Sequence, residues 1–177
     1  MPLPIAHALM GASVVLAFRP HSSLKRDWKF LLLGAFLGVM PDFDYALTWA
    51  RVGGRGWHHD FTHSILFALL AGLVTAAVIN HFNFRDVVTY FLAMLSHPTL
   101  DFLFTESRGV ELFWPFSDER FKSGLQAPIS YTWRPHPLSA KFTDILGMCL
   151  YELAVFATVL LTVYWVKSLQ LRHRVNR

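Results

Sequence analysis

Seven residues of this chain have types and spacing that could do chemistry: His7, Asp42, Asp44, His58, His63, His97 and Asp101. Each lies inside or at the edge of an apolar stretch. An ionisable group there needs a partner or a purpose, because a charged side chain at the bilayer centre costs about 2.5 to 3.5 kcal/mol on insertion scales. Neutral imidazole and ionised carboxylate are ligands of Zn²⁺, Mn²⁺ and Fe²⁺, and more than four of them imply two or more ions sharing carboxylates. His97 and Asp101 stand four residues apart and share a helical face, while His58 and His63 bracket a loop-to-helix corner. Taken singly, each has a plain alternative. His7 could be a core histidine, Asp42 after Pro41 a helix-end residue, Asp60 or Thr62 a helix cap, and His97 with Asp101 an interhelical packing pair. Metal binding covers the whole set with one cause.

The elements that must position these residues are apolar. The 177-residue chain is 54% hydrophobic and 16% charged, with a mean hydropathy of +0.37, which argues for a membrane. It excludes disorder, collagen, coiled coil and a disulfide scaffold, since Cys149 has no partner cysteine. The expected fold class is all-α, a polytopic membrane bundle of about five helices forming one domain over residues 1–177, with an aromatic interfacial cap. The clearest spans are Ile145 to Val166, Trp28 to Trp49 and Ser64 to Phe82, at about 20 residues per crossing. Val87 to Phe104 contains His97, Pro98 and Asp101, and Leu3 to Phe18 is short, so these two are weaker candidates. Residues 1 to 18 read as a span and not as a cleaved signal peptide, because their early part has no Lys or Arg.

Basic residues orient the bundle. Arg19, Lys25, Arg26, Lys29, Arg85, Lys167, Arg172, Arg174 and Arg177 fall on one side, and seven, including Arg51, Arg55 and Arg134, on the other. A bias of nine against seven places the N-terminus outside. All the candidate ligands then meet at one depth near the outer face. The segment from Thr105 to Thr143, rich in Pro and aromatic residues, reads as a cap at the interface. Basic residues are scattered, so nucleic acid is not an expected partner.

At these residues the sequence resembles the YdjM-like family of membrane-bound metal-dependent hydrolases. The pieces that carry the resemblance are His7-Ala8-Leu9, Leu33-Gly34-Ala35 through Met40-Pro41-Asp42-Phe43-Asp44, His58-His59-Asp60-Phe61-Thr62-His63-Ser64, Ser96-His97-Pro98-Thr99-Leu100-Asp101, and Gly109-Val110 through Leu112-Phe113-Trp114-Pro115-Phe116. They cover about residues 1–120. The family pattern reads His-Arg-Gly-x-Thr-His-Ser where this chain has His59 and Asp60, so the pattern leaves open whether these two join the site. Carried over residue by residue, the resemblance implies His7, Asp42, Asp44, His58, His63, His97 and Asp101 as members of a polar metal site. The order His, Asp, His, His-x-x-x-Asp is also similar, in spacing, to the zinc-dependent phospholipase C and P1 nuclease type.

The expected function is a hydrolase of an inner, multi-pass membrane location. Two or more divalent ions, Zn²⁺ first and Mn²⁺ or Fe²⁺ otherwise, would activate water against a phosphoester of a membrane lipid or lipid-linked substrate. Asp42 or Asp44, whichever is not a bridging ligand, is the candidate general base. Arg51, Arg55 and Arg134 are candidate clamps for an anionic head group, with lipid-phosphate contacts at the interface as their other reading. A metal-stabilised scaffold with a closed site, or a small metal or proton transporter, are the competing functions. The sequence does not fix the oligomeric state.

Overall fold

A computed structural model of the chain describes residues 2–19, 24–52, 57–80, 82–105, 108–125 and 138–175. Among these the architecture is all-α: α1 (Pro4–Phe18), α2 (Leu24–Val39), a short α3 (Asp44–Trp49), α4 (Ile65–Asn80), α5 (Phe84–Phe104) and a long α6 (Leu138–Val175). Local sequence explains several boundaries. Pro4 opens α1, where its missing N–H costs nothing. Asn83 caps α5, its side chain accepting from the Arg85 N–H at 3.0 Å. The apolar run Trp28 to Trp49 is not one straight helix. At Pro41 it tightens into a 3-10 turn over Met40–Phe43, and that turn carries Asp42.

Among the described residues, three stretches are long and apolar enough to cross a membrane: Asp27–Trp49, Phe84–Phe104 and Phe142–His173. Pro4–Phe18 and Ile65–Ile79 are shorter apolar helices. The ranking of spans therefore changes. The segment expected over Ser64 to Phe82 is a helix of 16 residues, whereas Val87 to Phe104 belongs to one of the full-length spans despite its polar residues. The last helix extends well past Ile145 to Val166. Its 38 residues reach about 57 Å at 1.5 Å per residue, nearly twice a hydrocarbon core of about 30 Å. It begins at Leu138, so the last residues assigned to the 105–143 cap are helical. The described cap, residues 108–125, folds back on itself through an antiparallel bridge between Val110 and Phe121.

α1 and α2 run antiparallel, with Gly11 against Gly34 and His7 against Gly38, and α1 packs on α2, α5 and α6. Small residues set how closely it is approached. A Cβ built on Gly38 would lie 2.2 Å from the His7 carbonyl oxygen, and one on Gly11 would lie 2.2 Å from the Gly34 oxygen. Backbones this close depend on van der Waals packing between small residues, the usual glue between helices in lipid. Below them Val15, Leu37, Ala68, Tyr90, Ala93 and Met94 fill the core.

α6 fastens α1 by charge at both ends. The Glu152 carboxylate accepts from the N–H groups of Leu3, at 2.6 Å, and Ala6, at 3.2 Å. The Lys167 ammonium donates to the carbonyls of Leu16, at 2.9 Å, Ala17 and Arg19. A helix leaves unpaired N–H groups at its start and unpaired carbonyls at its end, with partial charges of matching sign. Glu152 and Lys167 meet both, which requires α1 and α6 to run in the same direction. This explains why a carboxylate, Glu152, stands within the apolar stretch Ile145 to Val166.

Gly38→Ala forces α1 and α2 apart and is expected to cost about 1–3 kcal/mol by overpacking, read as a lower thermal midpoint of the detergent-solubilised protein. Gly147→Ala is the control, since nothing lies within 4 Å of a Cβ added there. Equal midpoints for the two variants would contradict the close approach.

Candidate metal centre

One end of the bundle gathers the polar residues. α1 brings His7 from its first turn, the 3-10 turn after α2 brings Asp42, and α3 opens with Asp44. The turn before α4 carries His63, and the last two turns of α5 carry His97 and Asp101. All seven expected ligands come together here. Arg51, just past α3, is exposed, and Arg55 and Arg134 lie outside the described residues.

At the centre three donor atoms form a nearly regular triangle. His97 Nε2 lies 3.1 Å from His63 Nε2 and 3.2 Å from Asp101 Oδ2, and His63 Nε2 lies 3.3 Å from that same oxygen. Asp42 Oδ1 stands 3.4 Å from His97 Nε2 and 3.9 Å from His63 Nε2. Tetrahedral Zn²⁺ with bonds of about 2.0–2.1 Å sets its ligands about 3.3–3.4 Å apart. Four of these five distances lie close to the edges of that polyhedron, and the fifth, from Asp42 to His63, is longer.

The other face of each ring explains which nitrogen points inward. His97 Nδ1 donates to the Gly38 carbonyl at 2.7 Å, because a carbonyl can only accept. Thr62 Oγ1 donates to Asp44 Oδ2 at 2.8 Å and so accepts from His63 Nδ1 at 3.0 Å. His58 Nδ1 donates to Asp44 Oδ1 at 3.0 Å. All three rings thus hold a proton on Nδ1 and, when neutral, turn a bare Nε2 lone pair to the interior, the arrangement by which outer groups orient metal-bound histidines. Asp44 has both oxygens engaged in this support, so it positions His58 and His63. Asp101 reaches His7 Nε2 at 3.6 Å through its other oxygen, and the His7 ring stacks on His97 at 3.7 Å.

Among the described residues, both His7 nitrogens, Asp42 Oδ1, His58 Nε2 and both Asp101 oxygens are buried without a hydrogen bond. Leaving a buried polar group unpaired costs about 1–3 kcal/mol, more for charged groups. So many unpaired buried polar atoms, most of them acceptors, fit a bound cation. Overlapping sets of three, including His63-His97-Asp101, His7-Asp42-His97, Asp42-Asp44-His58 and His58-His59-His63, place their donor atoms within 4.8 Å of one another. Four coordination positions on one ion do not accommodate that many side chains.

His59 joins the cluster, whereas Asp60 does not. The His59 ring is buried beside His58, and Asp60 turns away to pair with Arg120. Ser64, and not Asp60 or Thr62, caps α4, accepting from the Phe67 N–H at 3.1 Å. The supports at Gly38 and Arg120 carry no motif. Only the residue type of His59 signalled its place.

Burial holds the His59 imidazole neutral, its pKa lowered to about 3. Burial also disfavours the charged form of His63, but the neighbouring Asp101 and Asp44 carboxylates outweigh it and raise its pKa above the ordinary value. A proton on His63 competes with a metal. Metal affinity is therefore expected to climb with pH through and above about 6.5, with proton release on binding, read by calorimetric titration of the metal-free protein at several pH values. An affinity independent of pH would contradict this. Asp101→Ala and His63→Ala should strip metal by elemental analysis with membrane insertion intact. Thr62→Val should weaken binding by about 10–100-fold. Full metal content in both alanine variants would remove the assignment.

The chain is similar to known inner membrane proteins. The family model described as YdjM inner membrane protein matches residues 1–174. The match therefore runs through α6, beyond the 1–120 stretch that carries the motifs. The chain is 30% identical over 130 residues to the inner membrane protein YbcI of Escherichia coli strain K12, covering 68% of this chain and 72% of that protein. No solved structure matches. With its membrane-capable helices and a family match over almost its whole length, the chain is a membrane protein and belongs to the YdjM inner membrane protein family.

Proposed function

We propose that the protein is a membrane-bound, metal-dependent hydrolase that cleaves a phosphoester of a phospholipid or lipid-linked phosphate. The observation that supports this best is a difference in burial across the site. The side chains of His7, His63, His97 and Asp101 are fully buried, whereas Asp42 and His58 keep 11% and 15% of their side-chain surface exposed. The least buried edge of the nest is therefore at Asp42 and His58, and a catalytic site, unlike a structural one, needs an edge that substrate can approach.

Divalent ions held by His7, Asp42, His58, His63, His97 and Asp101 would supply Lewis acidity, bringing the pKa of water toward 7 and drawing charge from a phosphoryl oxygen. The protein's own groups do the rest. Asp42, at the least buried edge, is the general base that orients the attacking water and accepts its proton. Asp44 keeps the imidazoles of His58 and His63 aimed inward. Arg51, Arg55 and Arg134 are the guanidinium groups proposed to meet the anionic head group. Exposed rings of Trp49, Phe113 and Phe116 near this end suit a membrane interface, where the substrate's head reaches the site while its tails stay in lipid. By the distribution of basic residues, this end faces outward.

A second reading, a metal-stabilised scaffold, draws support from the complete burial of four donors. One experiment separates the two. Detergent-purified protein loaded with Zn²⁺ or Mn²⁺ is incubated with phospholipid and lipid-phosphate substrates, with and without a chelator. The hydrolase reading expects turnover that chelation abolishes and metal restores. It also expects Asp42→Asn to lower kcat by about 10²–10⁴. Turnover indifferent to chelation would contradict the mechanism, and bound metal with no turnover on any phosphoester would favour the scaffold.

A further inference from the structure

His59 lies outside the seven residues assigned to the metal site, yet the fold spends structure on holding it there. Its backbone is in the left-handed region, with φ of 68°, an uncommon conformation for a residue with a side chain and one that persists where surrounding contacts enforce it. Those contacts come from the cap. The His59 carbonyl accepts from the Glu111 N–H at 3.0 Å and from Arg120 Nη1 at 3.4 Å. Arg120 in turn bridges Asp60 and, at 2.6 Å, Glu111, and donates to the Gly109 carbonyl at 3.3 Å. Arg108 donates to the His58 carbonyl at 2.8 Å. Two arginines of the cap thus fix the peptide that carries both histidines.

The result is an imidazole that is 1% exposed, with its Nε2 3.7 Å from Asp101 Oδ2. Ligands of one ion lie no further apart than twice a bond of about 2.1 Å, or about 4.2 Å, so this pair is close enough to share an ion. The set His63, His97 and Asp101, with Asp42 beside it, already surrounds one ion. A further donor beside the shared Asp101 carboxylate is in excess of that need. We propose that His59 is a metal ligand through Nε2, serving a second ion that shares Asp101 with the first, and that Arg120 is its positioning residue. The cap is then part of the metal site. This rests on the metal-dependent reading of the cluster and assigns a ligand that reading does not include.

The test is titration of the metal-free, full-length protein in detergent with Co²⁺, followed by visible absorption and elemental analysis. Wild type should bind two or more ions per chain. His59→Asn, chosen because Asn tolerates a left-handed backbone, should lose at least one ion while the protein stays folded. Arg120→Lys should retain the full number at saturation but weaken one ion by about 10–100-fold. A purely structural Arg120 would lower thermal stability without moving metal affinity. Wild-type stoichiometry and affinity in His59→Asn would overturn the proposal and leave the metal reading standing. A wild-type protein that binds no Co²⁺ would overturn both.

Discussion

Everything at the site end of the bundle depends on how buried imidazoles and carboxylates come to rest with their lone pairs facing inward. Two Nε2 atoms at 3.1 Å, each with its proton held on the far nitrogen, repel unless a positive charge lies between them. Two carboxylates at the same spot sharpen the demand. In a low-dielectric interior such a cluster is relieved by positive charge, from a metal ion or from a proton on a ring. The outer hydrogen bonds, from His97 to Gly38, from His63 to Thr62, and from Thr62 and His58 to Asp44, hold these three rings in that orientation. They are as much a part of the centre as the donors.

The helices serve this convergence. The Gly38 carbonyl that orients His97 belongs to the same residue that lets α2 approach His7, so one close contact fixes the positions of two ligands from two helices. α1 is only 15 residues long and has little lipid-facing length of its own to anchor it. Its ends are tied instead to α6 by Glu152 and Lys167. The depth of His7 in the membrane is thereby coupled to a helix that contributes no ligand.

Much of this was legible in the sequence. The apolar segments announced a helical membrane bundle, and alternation of their direction carried His7, Asp42, His63, His97 and Asp101 to one end. What failed was the ranking of spans. Hydropathy favoured Ser64 to Phe82 over the stretch holding His97 and Asp101, because polar ligands lower an average without shortening a helix. The supports were invisible for a different reason. A carbonyl such as that of Gly38 has no signature in residue type, and the grip of Arg120 on Asp60 spans sixty residues. Asp44 looked like a ligand or a base from its type alone. Its partners, Thr62, His58 and His63, were not legible there. Arginines chosen for their place in the loops did not include Arg108 and Arg120, which the folded cap brings to the site's edge.

The most direct measurement of the central claim is X-ray absorption at the metal edge on protein purified without added metal and then reconstituted with Zn²⁺. A nitrogen and oxygen shell at about 2.0–2.1 Å, with the outer scattering of several imidazole rings and no sulfur, is the result expected from the His63, His97, Asp101 and Asp42 set. A spectrum of hydrated ion without imidazole scattering, from protein that is folded and saturated with Zn²⁺, would contradict it.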